Sequence, residues 1–321
     1  MKADTKEIHQ SIRAWYKTQG RLSLPWRNTD DPYHIYLSEV MLQQTQVKTV
    51  LERYYFPFLE KFPTLQILGN APLDDVLKMW EGLGYYSRAK NLHKTAGLIR
   101  VLPSEIDELI KLPGIGKNTA HAVATFAHKK PVPIMEANVK RILCRLYKLK
   151  TPNEKELWEL AYNLVDKENP FDYNQAMMDI GATLCRPKNP DCDICPLANF
   201  CQGKDAPTLY PTKKKRVVPT REENIMISVY NEKLSLTQRT GKFLHGLWGF
   251  SSIEVPLCAS EYIGEVTHAY THFKLVSKIY VYDELDCKQN SYFNIEEIGK
   301  LAISKVDDKI LKLYLGTIQT Y

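Results

Sequence analysis

The sequence lacks any run of about 18 apolar residues, so no segment is expected to cross a membrane. Its first residues include Asp4 and Glu7 and have no apolar core, which excludes a secretory signal. A cytoplasmic protein is expected. The chain has neither an internal repeat nor a low-complexity tract, and so it is not a repeat protein.

The bulk composition is that of an ordinary globular protein, with 44% hydrophobic and 25% charged residues. At 321 residues the chain exceeds the usual size of one domain, and two domains with separate cores are expected. The formal net charge of +6 permits a polyanionic partner without requiring one.

Cysteine is concentrated in one short stretch, residues 185–201. Four of the seven cysteines lie there, at Cys185, Cys192, Cys195 and Cys201, among prolines, asparagines and aspartates that favour turns. Four thiolates can bind zinc or an iron–sulfur cluster, but structural zinc sites usually present two Cys-x2-Cys pairs and this stretch has one. The spacing favours one four-iron four-sulfur cluster, with zinc or two disulfides as alternatives.

A helix predicted from Tyr33 to Val50 surrounds Glu39 with apolar side chains, because Ile35 and Leu42 share its face. Apolar surroundings disfavour the charged form of a carboxyl group, which can then hold a proton near neutral pH. That is the requirement for a general acid. The alternative is a surface glutamate at the edge of a helix.

A short turn, Leu112 to Lys117, joins two further predicted helices. Gly114 and Gly116 allow its backbone to approach a ligand closely, and the amides at the start of the second helix suit a phosphate oxygen. A plain turn between helices is the alternative.

The composition divides the chain. Residues 1–202 are predicted to be helical and to end in the cysteine loop at 185–201, and residues 203–220 form a linker rich in proline and lysine. Residues 221–321 combine β-rich segments with two helices, which predicts an α+β domain.

Taken together, these motifs resemble those of adenine DNA glycosylases of the MutY type. The most specific matches are Leu37–Val47, Gly82–Tyr86, Leu112–Gly116, Asn174–Ala182 and the cysteine loop. The resemblance extends over essentially the whole chain. It implies a mostly α-helical helix-hairpin-helix DNA glycosylase domain with an iron–sulfur cluster loop, followed by a C-terminal α+β domain similar to Nudix hydrolases.

The resemblance implies a monofunctional enzyme of base excision repair. It would remove adenine mispaired with 8-oxoguanine in double-stranded DNA by hydrolysing the N-glycosidic bond, and would act as a monomer. Glu39 matches the acid that protonates the purine. Glu136 takes the position of a second carboxylate, normally an aspartate, and Asn138 that of its supporting residue. Because glutamate is one methylene longer, a slow enzyme or a non-catalytic lesion-binding protein is the alternative.

The same resemblance assigns contacts to DNA. Gln44 and Tyr85 match residues that wedge into the opened base stack, and Tyr270-Thr271-His272 matches a Phe-Ser-His loop that reads the lesion. The hairpin residues expected to contact DNA are Gly114, Gly116, Lys117 and Asn118. Endonuclease III-like bifunctional enzymes have a Schiff-base lysine where this chain has Asn118, so no strong strand nicking is expected.

A Nudix-type pyrophosphohydrolase is the competing class of enzyme. That class needs a glutamate-rich helix to hold magnesium on a diphosphate, and no R-E-x-x-E-E-like segment occurs between residues 221 and 321. The sequence therefore argues against diphosphate hydrolysis.

Overall fold

The computed structural model describes residues 5–212, 217–283 and 291–318. These residues form two compact units. The first contains the residues up to Gly69 and those from Lys94 into the predicted linker, and the second combines residues 70–93 with the C-terminal region. The predicted domain boundaries at 202 and 220 stay predictions, and the basic run at 213–216 lies outside the described residues. Within the described ranges, no helix is both long and apolar enough to cross a membrane.

Helices make up the chain before the linker. They are α1 (Thr5–Gln19), α2 (Pro32–Leu42), α3 (Val47–Arg53), α4 (Tyr55–Lys61), α5 (Leu65–Asn70), α6 (Leu73–Met79), α7 (Ser87–Leu98), α8 (Ile106–Leu109), α9 (Lys117–His128), α10 (Ala137–Leu146), α11 (Glu154–Leu164) and α12 (Pro170–Thr183). A 3-10 turn, Pro25–Arg27, precedes α2. The Asp31 carboxylate caps α2 by accepting from the Tyr33 amide at 2.8 Å, and Pro32 supplies the fixed φ of a first helical residue.

The prediction of one continuous helix from Tyr33 to Val50 is wrong. Helix α2 ends at Leu42, and α3 begins at Val47. Gln44 has a φ of +58°, a left-handed conformation that cannot continue a right-handed helix. The residues between the two helices therefore form a turn on which the Gln44 side chain is exposed.

Among the described residues, two hydrophobic clusters hold helices of the first unit together. The larger one packs α1, α10, α11 and α12 around fully buried side chains such as Ile12, Leu143 and Ile180. The smaller one joins α2 and α9 to the segment before α10, through Ile35, Ala122, Phe126 and Ile134. The start of α10 is thus fixed against α2 and α9 by burial of apolar surface.

The C-terminal region is α+β, as predicted. Its strands are β1 (Thr220–Tyr230), β2 (Lys233–Gln238), β3 (Trp248–Gly249), β4 (Ser251–Ile253), β5 (Glu261–Ala269), β6 (Lys274–Asp283) and β7 (Ser291–Phe293), and its helices are α13 (Ile295–Lys300) and α14 (Lys305–Ile318). The main strand order is β3-β2-β1-β6-β5, in which β1 and β6 are parallel. Helix α14 packs on β5 and closes the core.

A buried ion pair fastens α14 to the sheet. The Asp307 carboxylate, fully buried, accepts from both terminal nitrogens of Arg239 at 2.8 Å. It also accepts from the Phe250 amide and the Ser304 hydroxyl. Because every oxygen of this carboxylate has partners, the charge is tolerated in the core.

Candidate active site

Glu39 lies on α2 and is half-buried. Burial and the neighbouring negative charge of Glu136 raise its pKa to about 8, against a smaller opposing effect of Arg27. At pH 7 most molecules therefore carry a proton on Glu39. The side chain can act as an acid near neutral pH, as its sequence environment predicts.

Glu136 directly precedes α10 and is half-buried beside Asn138. The Asn138 amide nitrogen donates to Glu136 Oε1 at 3.0 Å. Burial raises the pKa of Glu136, while the Asn138 hydrogen bond and the charges of Arg21 and Arg141 oppose that rise. The structure thus brings Glu39, Glu136 and Asn138 into one site in the first unit.

Arg141 connects this site to the start of the cysteine loop. Its Nη2 donates to Asn138 Oδ1 at 2.8 Å and to the Gly181 carbonyl oxygen at 2.7 Å. Its Nε donates to the Cys185 carbonyl oxygen at 2.6 Å. One guanidinium therefore fixes the Asn138 amide, so that its nitrogen faces the Glu136 carboxylate.

A buried ionic cluster, absent from the sequence-based site, lies next to the two glutamates. The fully buried Asp179 carboxylate accepts from two terminal nitrogens of Arg27 at 2.7 and 2.8 Å, and from Arg21 Nε at 2.6 Å. Burial alone would raise the pKa of Asp179, but these two arginines hold it below its ordinary value. The one sequence signal for the cluster is a carboxylate inside the apolar run Met177-Met178-Asp179-Ile180.

The hairpin between α8 and α9 has the predicted form. Gly114 has a φ of +73°, which favours glycine, and Gly116 is exposed with open space where a Cβ would lie. The Lys117 ammonium lies 3.9 Å from the centre of the Trp158 ring, a cation–π contact within the protein. Asn118 Oδ1 accepts from the Met135 amide at 2.6 Å. The exposed amides of this turn remain the part suited to a phosphate.

The four loop cysteines line one small cavity, together with apolar side chains and Arg145. All six cysteines among the described residues have free thiols. No group of three potential ligands in the described part of the chain is spaced for a single metal ion. Burial raises the pKa of Cys195 to about 11, so its metal-binding thiolate needs a positively charged centre, and Arg145 Nη1 lies 3.3 Å from Cys185 Sγ. The four thiols around one cavity therefore fit a thiolate-bound cluster of several metal atoms rather than a single ion.

The residues predicted to read the lesion lie in the second unit. Tyr85 is on a turn with a φ of +49°, and its hydroxyl is hydrogen-bonded to the Thr271 hydroxyl. Thr271 and His272 line a cavity of about 500 Å³ with Tyr85, Tyr270 and several lysines. Burial raises the pKa of the Tyr270 hydroxyl, so it stays protonated. Cations and aromatic rings around one cavity suit a nucleotide.

The chain is similar to known DNA repair proteins in sequence and in fold. Residues 37–167 match the HhH-GPD superfamily of base excision DNA repair proteins, and residues 185–201 match the iron-sulfur binding domain of endonuclease III. A solved thermostable thymine-DNA glycosylase is 29% identical, with a TM-score of 0.58 over 63% of this chain and 96% of its own. A trapped endonuclease III-DNA covalent intermediate, 22% identical with a TM-score of 0.54, shares the fold over 63% of this chain and 97% of its own.

The similarity to proteins of known sequence extends into the C-terminal region. The adenine DNA glycosylase of Buchnera aphidicola subsp. Baizongia pistaciae is 38% identical, over 76% of this chain and 72% of the relative. That of Buchnera aphidicola subsp. Schizaphis graminum is 32% identical, over 95% and 98%. The human adenine DNA glycosylase is 30% identical, over 87% and 67%.

The helical fold, the hairpin and the cysteine loop define a helix-hairpin-helix DNA glycosylase with an iron–sulfur domain, and the predicted fold class is confirmed. The likeness to the Buchnera relatives continues beyond that shared domain. The chain belongs to the adenine DNA glycosylase family. It is therefore an enzyme that binds DNA, hydrolyses an N-glycosidic bond and carries an iron–sulfur cluster.

Proposed function

We propose that this enzyme removes adenine paired with 8-oxoguanine in double-stranded DNA and leaves the sugar–phosphate strand intact. The pair of carboxyl groups carries the proposal. Glu39, with a pKa raised to about 8, is an acid at neutral pH. Burial raises the pKa of Glu136 as well, but Asn138, Arg21 and Arg141 oppose that rise and favour its charged form. Two carboxyl groups with different protonation states are what N-glycosidic hydrolysis requires.

The chemistry divides between these two groups. Adenine leaves poorly as an anion, so the proton of Glu39 passes to the extrahelical base as the bond between base and sugar breaks. The sugar becomes an oxocarbenium ion, and the Glu136 carboxylate, oriented by Asn138, stabilises its positive charge. Water then adds to the sugar and gives a proton back to Glu39. The products are free adenine and a strand with an abasic sugar.

Hydrolysis rather than strand cleavage is favoured by the residue at the start of α9. An amine there would form a Schiff base with the opened sugar, but Asn118 carries an amide whose oxygen is hydrogen-bonded to the Met135 amide. The adjacent Lys117 directs its ammonium to the Trp158 ring. Both observations support a monofunctional enzyme.

Single-turnover cleavage of matched duplexes tests the proposal. With protein in excess, adenine opposite 8-oxoguanine should be released, and adenine opposite guanine should be released more slowly. Strand breaks should arise only after alkaline treatment, which cleaves abasic sites. If the protein binds the 8-oxoguanine:adenine duplex but releases no adenine, it is a lesion-binding protein that has lost its chemistry, because Glu136 replaces the shorter aspartate.

Discrimination between these duplexes should depend on the loop Tyr270-Thr271-His272. Replacing Thr271 and His272 by alanine removes the hydroxyl that meets Tyr85 and an imidazole that lines the cavity. We expect a preference for 8-oxoguanine lowered about tenfold, the effect of about 1.4 kcal/mol of lost base contacts, with general duplex affinity unchanged because phosphate contacts provide it. Equal loss on both duplexes, measured by titration and single-turnover rates, contradicts this assignment.

We also propose that Cys185, Cys192, Cys195 and Cys201 bind one four-iron four-sulfur cluster. Their spacing has one Cys-x2-Cys pair, and their side chains surround one cavity. Purified protein should be brown, with about four irons per chain by metal analysis. Stoichiometric zinc without iron would contradict the proposal. Replacing exposed Cys258, which lies outside this set, by serine should leave the iron content unchanged.

A further inference from the structure

The segment from Lys130 to Glu136 is neither helix nor strand, yet side chains of α9 hydrogen-bond to its peptide groups. The Thr125 hydroxyl donates to the Val132 carbonyl oxygen at 3.1 Å. One turn earlier on the same face of α9, His121 Nδ1 lies 2.7 Å from the Pro133 carbonyl oxygen. The helix thus replaces a neighbouring strand as the partner of this extended segment.

The end of the segment is held by Asn118. Its Oδ1 accepts from the Met135 amide at 2.6 Å, and Met135 immediately precedes Glu136. Asn118 is the second residue of α9 and follows the exposed Gly116 of the hairpin by two positions. This hydrogen bond therefore joins α9 to Met135, the residue directly before Glu136.

Helix α12 holds the segment from another direction. Asn174 Oδ1 accepts from the Ile134 amide at 2.8 Å, and its nitrogen donates to the Val132 carbonyl oxygen at 3.0 Å. The Ile134 side chain is buried in the cluster that joins α2 and α9. The Val132 carbonyl and the Ile134 amide are thus held by Asn174, and the Met135 amide, held by Asn118, is the next hydrogen-bonded group toward Glu136.

We infer that Asn118 is a positioning residue for Glu136. The side-chain oxygen of Asn118 fixes the Met135 amide and so determines where the Glu136 side chain begins. The inference rests on the proposed role of Glu136. Glutamate has one more rotatable bond than the aspartate usual at this position, and a fixed starting point limits where its carboxylate can go. A misplacement near 1 Å can lower a rate about a hundredfold.

The charges around the two glutamates provide a second readout, the dependence of the rate on pH. Glu39 faces Glu136 and Arg27, and Glu136 in turn faces Arg21, Arg141 and Asp179. The negative charge of Glu136 raises the pKa of Glu39. If the Glu136 carboxylate is released from its place, this repulsion weakens and the pKa of Glu39 falls. The rate then declines at lower pH on the alkaline side of its profile.

The test compares two variants of Asn118. Asn118→Leu keeps the approximate shape and removes the acceptor, whereas Asn118→Asp keeps an acceptor oxygen. Single-turnover adenine release is measured against pH with saturating protein on an 8-oxoguanine:adenine duplex, so that affinity changes do not enter. We expect Asn118→Leu to lower the rate about tenfold to a hundredfold and move the alkaline decline to lower pH, and Asn118→Asp to restore most of the rate.

Three results would overturn the inference: an unchanged Asn118→Leu rate, a loss that is equal at every pH, or an Asn118→Asp variant as slow as Asn118→Leu. Asn163→Leu, the same change on the exposed face of α11, should match the parent. If Asn118→Leu does not fold by circular dichroism, Asn118→Ala, which also removes the acceptor, provides the same comparison. Release of adenine by the parent protein tests the proposed function separately.

Discussion

Replacing Glu39 by glutamine should lower single-turnover adenine release by about a thousandfold or more, because a general acid contributes about 10² to 10⁴ and glutamine has no proton to give. The substitution keeps the shape of a side chain that is already uncharged at neutral pH, since burial and Glu136 raise its pKa to about 8. Binding to the 8-oxoguanine:adenine duplex should therefore be unchanged. Rates in rapid-quench assays and Kd from anisotropy measure the two effects separately.

The pH profile of the parent enzyme checks the same assignment. Because the protonated form of Glu39 is the active one, the rate should decline as pH rises through about 8. Glu159→Gln is the matched control, since Glu159 is exposed on α11 in a loose pair with Lys155, 3.9 Å apart. A Glu39→Gln enzyme that retains parent activity would mean that another group supplies the proton.

Replacing Glu136 by glutamine should lower the rate about a hundredfold to a thousandfold, the usual loss when a preorganised electrostatic partner of a transition state is removed. Glutamine can still accept from the Asn138 amide, so the hydrogen bond survives and the charge is lost. The loss of that charge should also lower the pKa of Glu39 and shift the alkaline decline to lower pH. A full rate at every pH contradicts the role of Glu136.

Shortening Glu136 to aspartate keeps the charge and moves the carboxylate, so it separates the effect of position from the effect of charge. The 3.0 Å bond from Asn138 is made at the length of glutamate, and Arg141 holds Asn138 in place. Glu136→Asp should withdraw the carboxylate from this bond, and we expect a rate about tenfold lower under single-turnover conditions. A faster Glu136→Asp enzyme would instead show that the natural glutamate is a handicap.

The sequence predicts those parts of the site that depend on local patterns. Helical periodicity places Glu39 among apolar residues, turn-forming glycines indicate the hairpin, and spacing predicts that four cysteines bind a metal centre. The break after Leu42 is missed because Gln44 adopts its left-handed conformation without the glycine or asparagine that usually indicates one.

Contacts between distant parts of the chain escape such patterns. Arg27 reaches Asp179 across 152 residues, and the charge of Arg27 opposes the rise in the pKa of Glu39. Asn118 holds Met135 through an extended segment that has no helix or strand pattern to predict its place. Long-range hydrogen bonds of this kind depend on how helices pack, and a single sequence carries no signal for them.

Gly181 lets α12 pass directly against Asn138, because a Cβ at this position would lie 2.5 Å from the Asn138 Cβ. Its carbonyl oxygen also accepts from Arg141. Every missense change in this codon adds a Cβ, so no missense variant at this position can preserve the close packing of α12 against Asn138. In a genetic screen, mutations of Gly181 should abolish repair as a class, with serine and alanine as damaging as larger residues.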